Sequence, residues 1–266
     1  MVTVKTIFTF LDQIAPVRYQ MDFDNSGFLV GDPDASVSKI LTALDITDDV
    51  ISEAEELGVQ LIVSHHPLIF HSLRQVRSDD LTGQKVLRLA KLGIAAICMH
   101  TNLDIAGGGV NDALMEALDA ESFGILDPTG SDENGLPLGC GRIGKLQKRM
   151  PLYEFLAFAA DRLQVSGIRY SAGKKDVEQI AVCGGSGGNL LELAYDAGCD
   201  TLVTADVKYD RFLAAKELGM NLIDADHFCT ENVIIPVIAE KLQKQFPEAK
   251  VHISRRLGQT AQIYMP

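Results

Sequence analysis

The stretch LIVSHHP, residues 61–67, is an apolar run that stops at two adjacent histidines and a proline. A short, continuous apolar run is typical of a parallel strand buried on both faces, and Pro67 cannot continue such a strand. The stretch therefore predicts a strand whose end carries His65 and His66 to the carboxyl edge of a sheet. In open α/β sheets that edge is where ligands bind.

The histidine pair has two interpretations. The chain contains only six histidines, and neutral imidazole is the commonest metal ligand, which favours a metal site. Adjacent side chains of an extended chain point to opposite faces, so both histidines can reach one site only if the strand ends there. The alternative is one buried, hydrogen-bonded histidine beside one surface histidine.

The composition is that of a globular protein. Its 266 residues allow one large or two modest domains, and 47% are hydrophobic while 23% are charged. The 24 Lys and Arg residues against 36 Asp and Glu residues give a net charge of -12, which argues against a broad nucleic-acid-binding surface. An anionic ligand would need a local counter-charge, such as a metal ion.

Several features predict a cytoplasmic protein without membrane association. Residues 4–14 mix charge into an amphipathic helical pattern and lack the continuous apolar segment of a signal peptide. No run approaches the ~18 apolar residues that cross a membrane. The five cysteines form no CxxC pair, and three lie in apolar runs where a free cysteine behaves as a small hydrophobic residue. They are Cys98, Cys140, Cys183, Cys199 and Cys229.

Predicted strands alternate with predicted helices in both halves of the chain. The first half has strands at 40–45, 61–64 and 94–99, and the second repeats this order at 180–183, 202–206 and 221–225. This pattern predicts an α/β fold of two related three-layer halves, with mainly parallel sheets, an internal pseudo-duplication and a metal site between the halves. The predicted bounds are 1–125, a connection at 126–150 made of a loop over 127–137 and a strand over 140–146, and 151–266.

Three predicted strand ends present imidazoles or carboxylates. They carry His65 with His66, His100 with Asp104, and His227 with Glu231, which lie four residues apart at the start of a helix predicted to run from 231 to 246. This ligand mix suits Zn, Fe, Mn or Ni. Five or six ligands exceed the need of one tetrahedral metal, so two divalent metals sharing a carboxylate fit the set.

The chain resembles the type 2 GTP cyclohydrolase I-like family, also called NGG-interacting-factor-three-like proteins. The motifs that carry the resemblance run in the family's order over nearly the whole chain: DNSG at 24–27, SHHPLIF at 64–70, HTNLD at 100–104, GGSG at 184–187, and TADVKY at 204–209 through HFCTE at 227–231. Three positions depart from the family pattern, namely Ala205, Asp210 and Asp226, and none of them is an expected metal ligand.

The resemblance implies a dinuclear metal centre in a ring-shaped homohexamer built as a trimer of dimers. It implies the metal ligands His65, His66, Asp104, His227 and Glu231, and it does not make His100 a ligand. We therefore expect His100 to orient Asp104 or to contact substrate, and expect His100 and Glu231 to be the catalytic groups. The resemblance also names a small-molecule substrate, GTP, which is converted to formate and dihydroneopterin triphosphate.

Other polar positions are candidates for substrate binding: Asn25, Ser64, Gly185, Ser186 and Lys208. The glycine-rich stretch 184–188 either exposes backbone N–H groups to a phosphate or is a tight strand-to-helix turn beside the metal. Lys208 either binds substrate or begins the next helix, and residues 24–26 either line the pocket or form an Asx-type turn. Two alternative functions stay open, namely a metal-dependent phosphoesterase and a non-enzymatic metal-binding scaffold that acts through protein partners.

Overall fold

The computed structural model of the chain describes residues 2–264, so Met1, Met265 and Pro266, which include both ends of the predicted domain bounds, lie outside the described residues. The α-helices are α1 (Val4–Ile14), α2 (Asp48–Leu57), α3 (Leu81–Leu92), α4 (Thr101–Ile105), α5 (Val110–Ala117), α6 (Leu152–Leu163), α7 (Leu191–Asp196), α8 (Tyr209–Leu218), α9 (His227–Glu231) and α10 (Ile234–Gln245). The strands are β1 (Gly27–Val30), β2 (Lys39–Ala43), β3 (Leu61–Ser64), β4 (Ala95–Cys98), β5 (Ala120–Ser131), β6 (Pro137–Met150), β7 (Arg169–Ser171), β8 (Val177–Ser186), β9 (Thr201–Ala205), β10 (Asn221–Asp224) and β11 (Lys250–Ile253).

The chain divides into two compact units. The first consists of Met1–Ala106 and Ile235–Gly258, and the second of Gly107–Ile234 and Gln259–Pro266. These bounds differ from the predicted ones because the late strand β11 pairs in parallel with β2 and so returns the C-terminal part of the chain to the first unit. A pairing across so long a stretch of chain leaves no trace in local sequence periodicity.

The first unit is built on a five-stranded sheet with the order β1-β4-β3-β2-β11. Strands β4, β3, β2 and β11 are parallel, and β1 runs antiparallel at one edge. All four residues of β3 are buried, as a strand covered on both faces requires. The start of α2 follows from local chemistry, since the Thr47 hydroxyl accepts a hydrogen bond from Val50 N–H and caps the helix.

The second unit is built on a six-stranded sheet with the order β5-β6-β8-β9-β10-β7. Its central strands β8, β9 and β10 are parallel, and the other pairings are antiparallel. Two mixed sheets with flanking helices confirm the predicted α/β class and its two halves. In both sheets the strands that end at the polar residues, β3, β4, β9 and β10, are internal and parallel to a neighbour.

The predicted loop over 127–137 is wrong. Residues 120–150 form a long hairpin in which β5 and β6 pair, and only a tight turn separates the two strands. Asp132 Oδ1 accepts hydrogen bonds from Asn134 N–H and Leu136 N–H in this turn, and Gly135 has a φ of 79°. The sequence pattern did not predict these strands because shifts in register near residues 123 and 129 break the alternation of side chains that identifies a strand.

The helix predicted over 231–246 is also wrong in its bounds. His227 and Glu231 lie on the short helix α9, and α10 begins only at Ile234. Pro236 explains the break, because proline lacks an N–H and its ring clashes with the carbonyl four residues earlier in a continuous helix. Among residues 2–264, no helix is long and apolar enough to cross a membrane.

Candidate metal centre

Three imidazoles of the first unit converge at the carboxyl edge of its sheet. His65 and His66 follow β3, and His100 follows the neighbouring parallel strand β4. The ring centroids of His65 and His66 are 5.0 Å apart, and they lie 5.3 and 5.5 Å from that of His100. One potential ligand atom of each imidazole lies within 4.8 Å of the others. Because β3 ends at Ser64, adjacent histidines reach the same place.

Each of these imidazoles is held through its Nδ1 atom. His65 Nδ1–H donates to the Met99 carbonyl at 2.7 Å, and His66 Nδ1–H donates to Asp45 Oδ1 at 2.8 Å. His100 Nδ1–H donates to Asp24 Oδ1 at 2.7 Å. A carbonyl or a carboxylate can only accept, so in each neutral ring Nδ1 carries the proton and Nε2 carries the lone pair. This outer-shell arrangement is typical of histidines that bind metals.

The carboxylate of Asp24 accepts several hydrogen bonds in this cluster. Besides His100 it accepts hydrogen bonds from the backbone N–H and hydroxyl of Thr101, the Ser26 hydroxyl and the Asn25 N–H. Burial by itself raises the pKa of Asp24, but the hydrogen bonds from His100, Thr101 and Ser26 and the charge of His100 outweigh it and hold that pKa well below its usual range. Asp24 is therefore a fixed negative charge behind His100.

Asp104, the expected carboxylate ligand of the first unit, lies on α4. Its Oδ1 is 3.8 Å from His65 Nε2. His100 occupies the N-cap position of the same helix, but its imidazole bonds to Asp24. His100 thus shares the Nδ1-anchored arrangement of His65 and His66, and the structure groups it with them as a possible ligand.

The second unit contributes an imidazole and a carboxylate on α9. His227 Nε2 and Glu231 Oε2 are 3.0 Å apart, and His227 Nδ1 is bonded to Asp206 Oδ2 at 2.7 Å. The hydrogen bond to Glu231 and the charges of Glu231 and Asp206 outweigh burial and raise the pKa of His227 to about 9. Burial raises the pKa of Asp206, yet hydrogen bonds from Ser186 and His227 bring it below its usual value. His227 therefore lies between two carboxylates, both of which favour its imidazolium form.

Backbone strain marks both sides of this pair. Asp206, just after β9, has a φ of 51°, and Asp226, just before α9, has a φ of 68°. Such left-handed conformations are costly for residues other than glycine and cluster at functional sites. The departure from the family pattern at Asp226 has a local explanation, because its side chain accepts a hydrogen bond from Cys229 N–H and caps α9.

Gly185 packs against the carboxylate of Glu231. Its N–H donates to the Thr230 hydroxyl at 3.1 Å, and its φ is 62°. A Cβ atom at this position would lie 2.2 Å from Glu231 Oε1, so a residue with a side chain cannot replace glycine without a shift. The glycine-rich stretch therefore positions a candidate ligand, as the strand-to-helix-turn interpretation expects.

The other expected substrate contacts have identifiable structural partners. Asn25 Nδ2 donates to the Ile69 carbonyl at 2.6 Å, and the buried Ser64 hydroxyl donates to the His66 carbonyl at 2.8 Å. The Ser186 hydroxyl donates to Asp206 Oδ2 at 2.7 Å. Lys208 is exposed and forms the N-cap of α8, as its alternative interpretation expects. Their contacts with substrate stay a prediction.

Sequence reasoning considered Asp24 only as part of the pocket or of a turn, and it did not identify Asp24, Asp45 and Asp206 as the acidic partners of the imidazoles. Each had a weak signal: Asp24 opens the DNSG motif, and Asp45 and Asp206 each end a predicted strand at the same sheet edge as the histidines. A carboxylate at the end of a strand beside a histidine-bearing strand is therefore a candidate for orienting that histidine.

Comparison with known proteins identifies the family. The model of the family DUF34/NIF3 (NGG1p interacting factor 3) matches residues 2–257. The chain belongs to the DUF34/NIF3 family. A Clostridium perfringens protein named GTP cyclohydrolase 1 type 2 homolog is 36% identical over 240 residues, covering 90% of each chain. A Streptomyces coelicolor protein of the same name is 37% identical over 229 residues, covering 85% of this chain and 80% of its own.

Solved structures of the family share the fold. The Bacillus cereus protein related to NIF3 superposes with a TM-score of 0.91 at 25% identity and covers 99% of both chains. A Staphylococcus aureus hypothetical protein superposes with a TM-score of 0.90 at 28% identity, again with 99% coverage of both. The family resemblance inferred from the motifs is confirmed.

The residues present fit a divalent metal. Imidazole nitrogens and carboxylate oxygens are the ligand types that Zn, Fe, Mn and Ni accept in proteins. His65, His66 and His100 form one group that could hold a metal, and His227 with Glu231 offers the same two ligand types in the second unit. Anchoring at Nδ1 suits all four rings for ligation through Nε2.

Proposed function

We propose that this protein is a metal-dependent hydrolase acting on nucleotides, and that its reaction is the conversion of GTP to formate and dihydroneopterin triphosphate. The observation that carries the proposal is the set of four imidazoles whose Nδ1 atoms are all engaged by fixed oxygen acceptors. The names of the Clostridium and Streptomyces relatives support the choice of substrate.

The proposed ligands of two divalent metal ions are His65, His66, Asp104, His227 and Glu231. We propose Zn, Fe, Mn or Ni as the metal, in keeping with the imidazole and carboxylate donors. Divalent ions held by these residues would supply Lewis acidity and a water nucleophile near neutral pH, which hydrolytic opening of a purine ring requires. Asp45 and Asp206 accept the Nδ1–H of His66 and His227 and so orient these rings for metal binding through Nε2.

His100 is the proposed proton carrier. The Nδ1–H of His100 donates a hydrogen bond to Asp24. The Nε2 of His100 is therefore the atom that takes a proton from a reacting group and later returns it. The buried carboxylate of Asp24 stabilises the imidazolium that forms and keeps the ring in one orientation. Glu231 is the second proposed catalytic group, since its carboxylate lies within 3.0 Å of His227 Nε2 and can accept a proton.

The proposed assembly is a homohexamer built as a trimer of dimers, and the proposed location is the cytoplasm. The first rests on the family resemblance and is tested by sedimentation, in which a stable monomer would exclude it. The second is supported by the five cysteines, all of which are free thiols.

The test is incubation of Mn- or Zn-loaded protein with GTP and identification of the products by mass. Formate together with dihydroneopterin triphosphate, absent from a His65→Ala variant and retained in a His252→Ala variant, is the expected result. Release of phosphate with an intact guanine ring would indicate a phosphoesterase instead. Unchanged GTP from protein that holds two metals would exclude both reactions.

A further inference from the structure

Two exposed aromatic side chains lie beside the histidine cluster of the first unit. Phe23 is 62% exposed and Phe70 is 38% exposed, and their ring centroids are 6.4 Å apart. The Phe70 ring centroid is 6.1 Å from that of His100, the proposed proton carrier. Burial of a phenylalanine side chain is stabilising. An exposed pair of phenylalanines next to a polar cluster is therefore an apolar surface to which a ligand can bind.

The same hydrogen-bonded network that orients His100 also ties together the two segments that carry these rings. Phe23 immediately precedes Asp24, which holds His100 Nδ1. Asn25 Nδ2 donates to the Ile69 carbonyl at 2.6 Å, and this bond ties the segment that carries Phe23 to the segment that carries Phe70. The segments that carry the two rings are therefore held relative to His100 by contacts within one unit, which favours binding because less backbone has to be ordered.

We propose that Phe23 and Phe70 form a stacking platform for the planar ring of a heteroaromatic substrate, a nucleobase or a related fused ring, and that this platform presents the ring to His100. The proposal deepens the proposed function and rests on it for the nature of the site. Aromatic side chains stack on any base because every base has a π face. The platform therefore selects for a flat ring over a ring-free phosphoester.

The absence of tryptophan from the chain provides a direct assay. A Phe23→Trp variant carries a single tryptophan in the platform, and stacking of a base on it quenches its fluorescence. Guanosine and adenosine are the probes, and ribose 5-phosphate is the ring-free control. We expect saturable quenching by at least one nucleoside and none by ribose 5-phosphate.

A matched reporter is available in the second unit. Tyr153 and Tyr170 form an exposed pair with ring centroids 6.0 Å apart, similar to the 6.4 Å of the phenylalanine pair. The two tyrosines lie on α6 and β7, which carry none of the proposed metal ligands. A Tyr153→Trp variant should therefore show no saturable quenching by either nucleoside. Equal quenching of both reporters would mean that any exposed aromatic pair binds these probes, and would overturn the proposal.

A second measurement leaves Phe23 in place. Phe70→Leu keeps an apolar side chain without a π face, and Phe70→Tyr keeps the face. By calorimetry we expect nucleoside affinity to fall roughly tenfold in Phe70→Leu, the size of one lost stacking contact, and to stay within about twofold in Phe70→Tyr. Equal affinities in all three proteins would overturn the proposal, as would burial of the Phe23→Trp reporter by a second copy of the chain.

These binding measurements separate the platform from the chemistry. Nucleoside binding without formation of formate would leave the platform standing and remove the cyclohydrolase reaction. Formate production with a KM for GTP unchanged in Phe70→Leu would support the cyclohydrolase reaction and remove the platform. Metal content measured on each variant should match that of the parent protein, because neither phenylalanine is a proposed ligand.

Discussion

The two units orient their imidazoles in the same way but with different degrees of burial. In the first unit the side chains of His65 and Asp24 are completely buried. In the second, the side chain of His227 is 36% exposed and that of its partner Asp206 is 53% exposed. In both units an oxygen atom accepts a hydrogen bond from the imidazole Nδ1. The units differ in how deeply the side chains that form this bond are buried.

This difference separates structural from functional roles. A buried carboxylate with several donors is part of what keeps its unit folded, because its removal leaves those donors without a partner. An exposed carboxylate with two donors is screened by water and contributes little to stability. We therefore expect substitution of the buried Asp24 to affect folding and metal binding together, and substitution of the more exposed Asp45 or Asp206 to affect metal binding mainly.

The largest expected effect comes from Asp24→Ala. Loss of this carboxylate leaves His100, Thr101, Ser26 and the Asn25 N–H without their acceptor, so the free energy of unfolding should fall by about 3 kcal/mol. Asp206→Ala should cost less than about 1 kcal/mol. Urea denaturation of both variants measures the contrast, and equal losses would contradict the distinction between the two networks.

A smaller effect is expected from Gly185→Ala, which tests whether the second unit also has a rigid part. The added Cβ would meet Glu231 Oε1, and the φ of 62° adds strain, so we expect a loss of about 2 kcal/mol and a roughly tenfold weaker metal affinity. Gly135→Ala is the matched control, since Gly135 has a φ of 79° and open space around it. That variant should lose about 1 kcal/mol in thermal or urea unfolding and keep its metal affinity.

The pH dependence of the first network follows from the lowered pKa of Asp24. A carboxylate whose folded pKa is depressed stabilises the fold above its unfolded pKa, about 3.9, and this stabilisation is lost as the pH falls toward the folded value. The stability difference between the parent protein and Asp24→Asn should therefore shrink by about 1 kcal/mol between pH 7 and pH 3. A constant difference across this range would show that Asp24 is not ionised in the folded protein.

The smallest effect on stability is expected from Asp45→Asn and Asp206→Asn, the partners of His66 and His227. Each change removes a charge but keeps an oxygen acceptor. The free energy of unfolding should therefore change by less than about 0.5 kcal/mol, while metal affinity falls roughly tenfold. Competition with a chelator measures the affinity. Asp196→Asn, at an exposed position on α7, is the control and should leave metal affinity unchanged.

The sequence alone determined the elements that begin or end through local chemistry. The apolar run 61–64 closed by Pro67 fixed the end of β3, and Thr47 and Gly58 fixed the two ends of α2. The motifs around His65, His100 and His227 were sufficient to identify the family, because they are contiguous and ordered along the chain. These features depend on residues that are neighbours in sequence, where propensity and capping act.

Only the tertiary structure decided which acceptor holds each imidazole and which strands pair across the chain. The partners of His66, His100 and His227 are 21, 76 and 21 residues away in sequence. Strand β11 pairs with β2 across about two hundred residues of sequence. The β5–β6 hairpin lacks a regular alternation of side chains because of its shifts in register. Local patterns report which face of an element is apolar, whereas the pairing of polar groups depends on where distant backbone segments are brought together by burial of those faces.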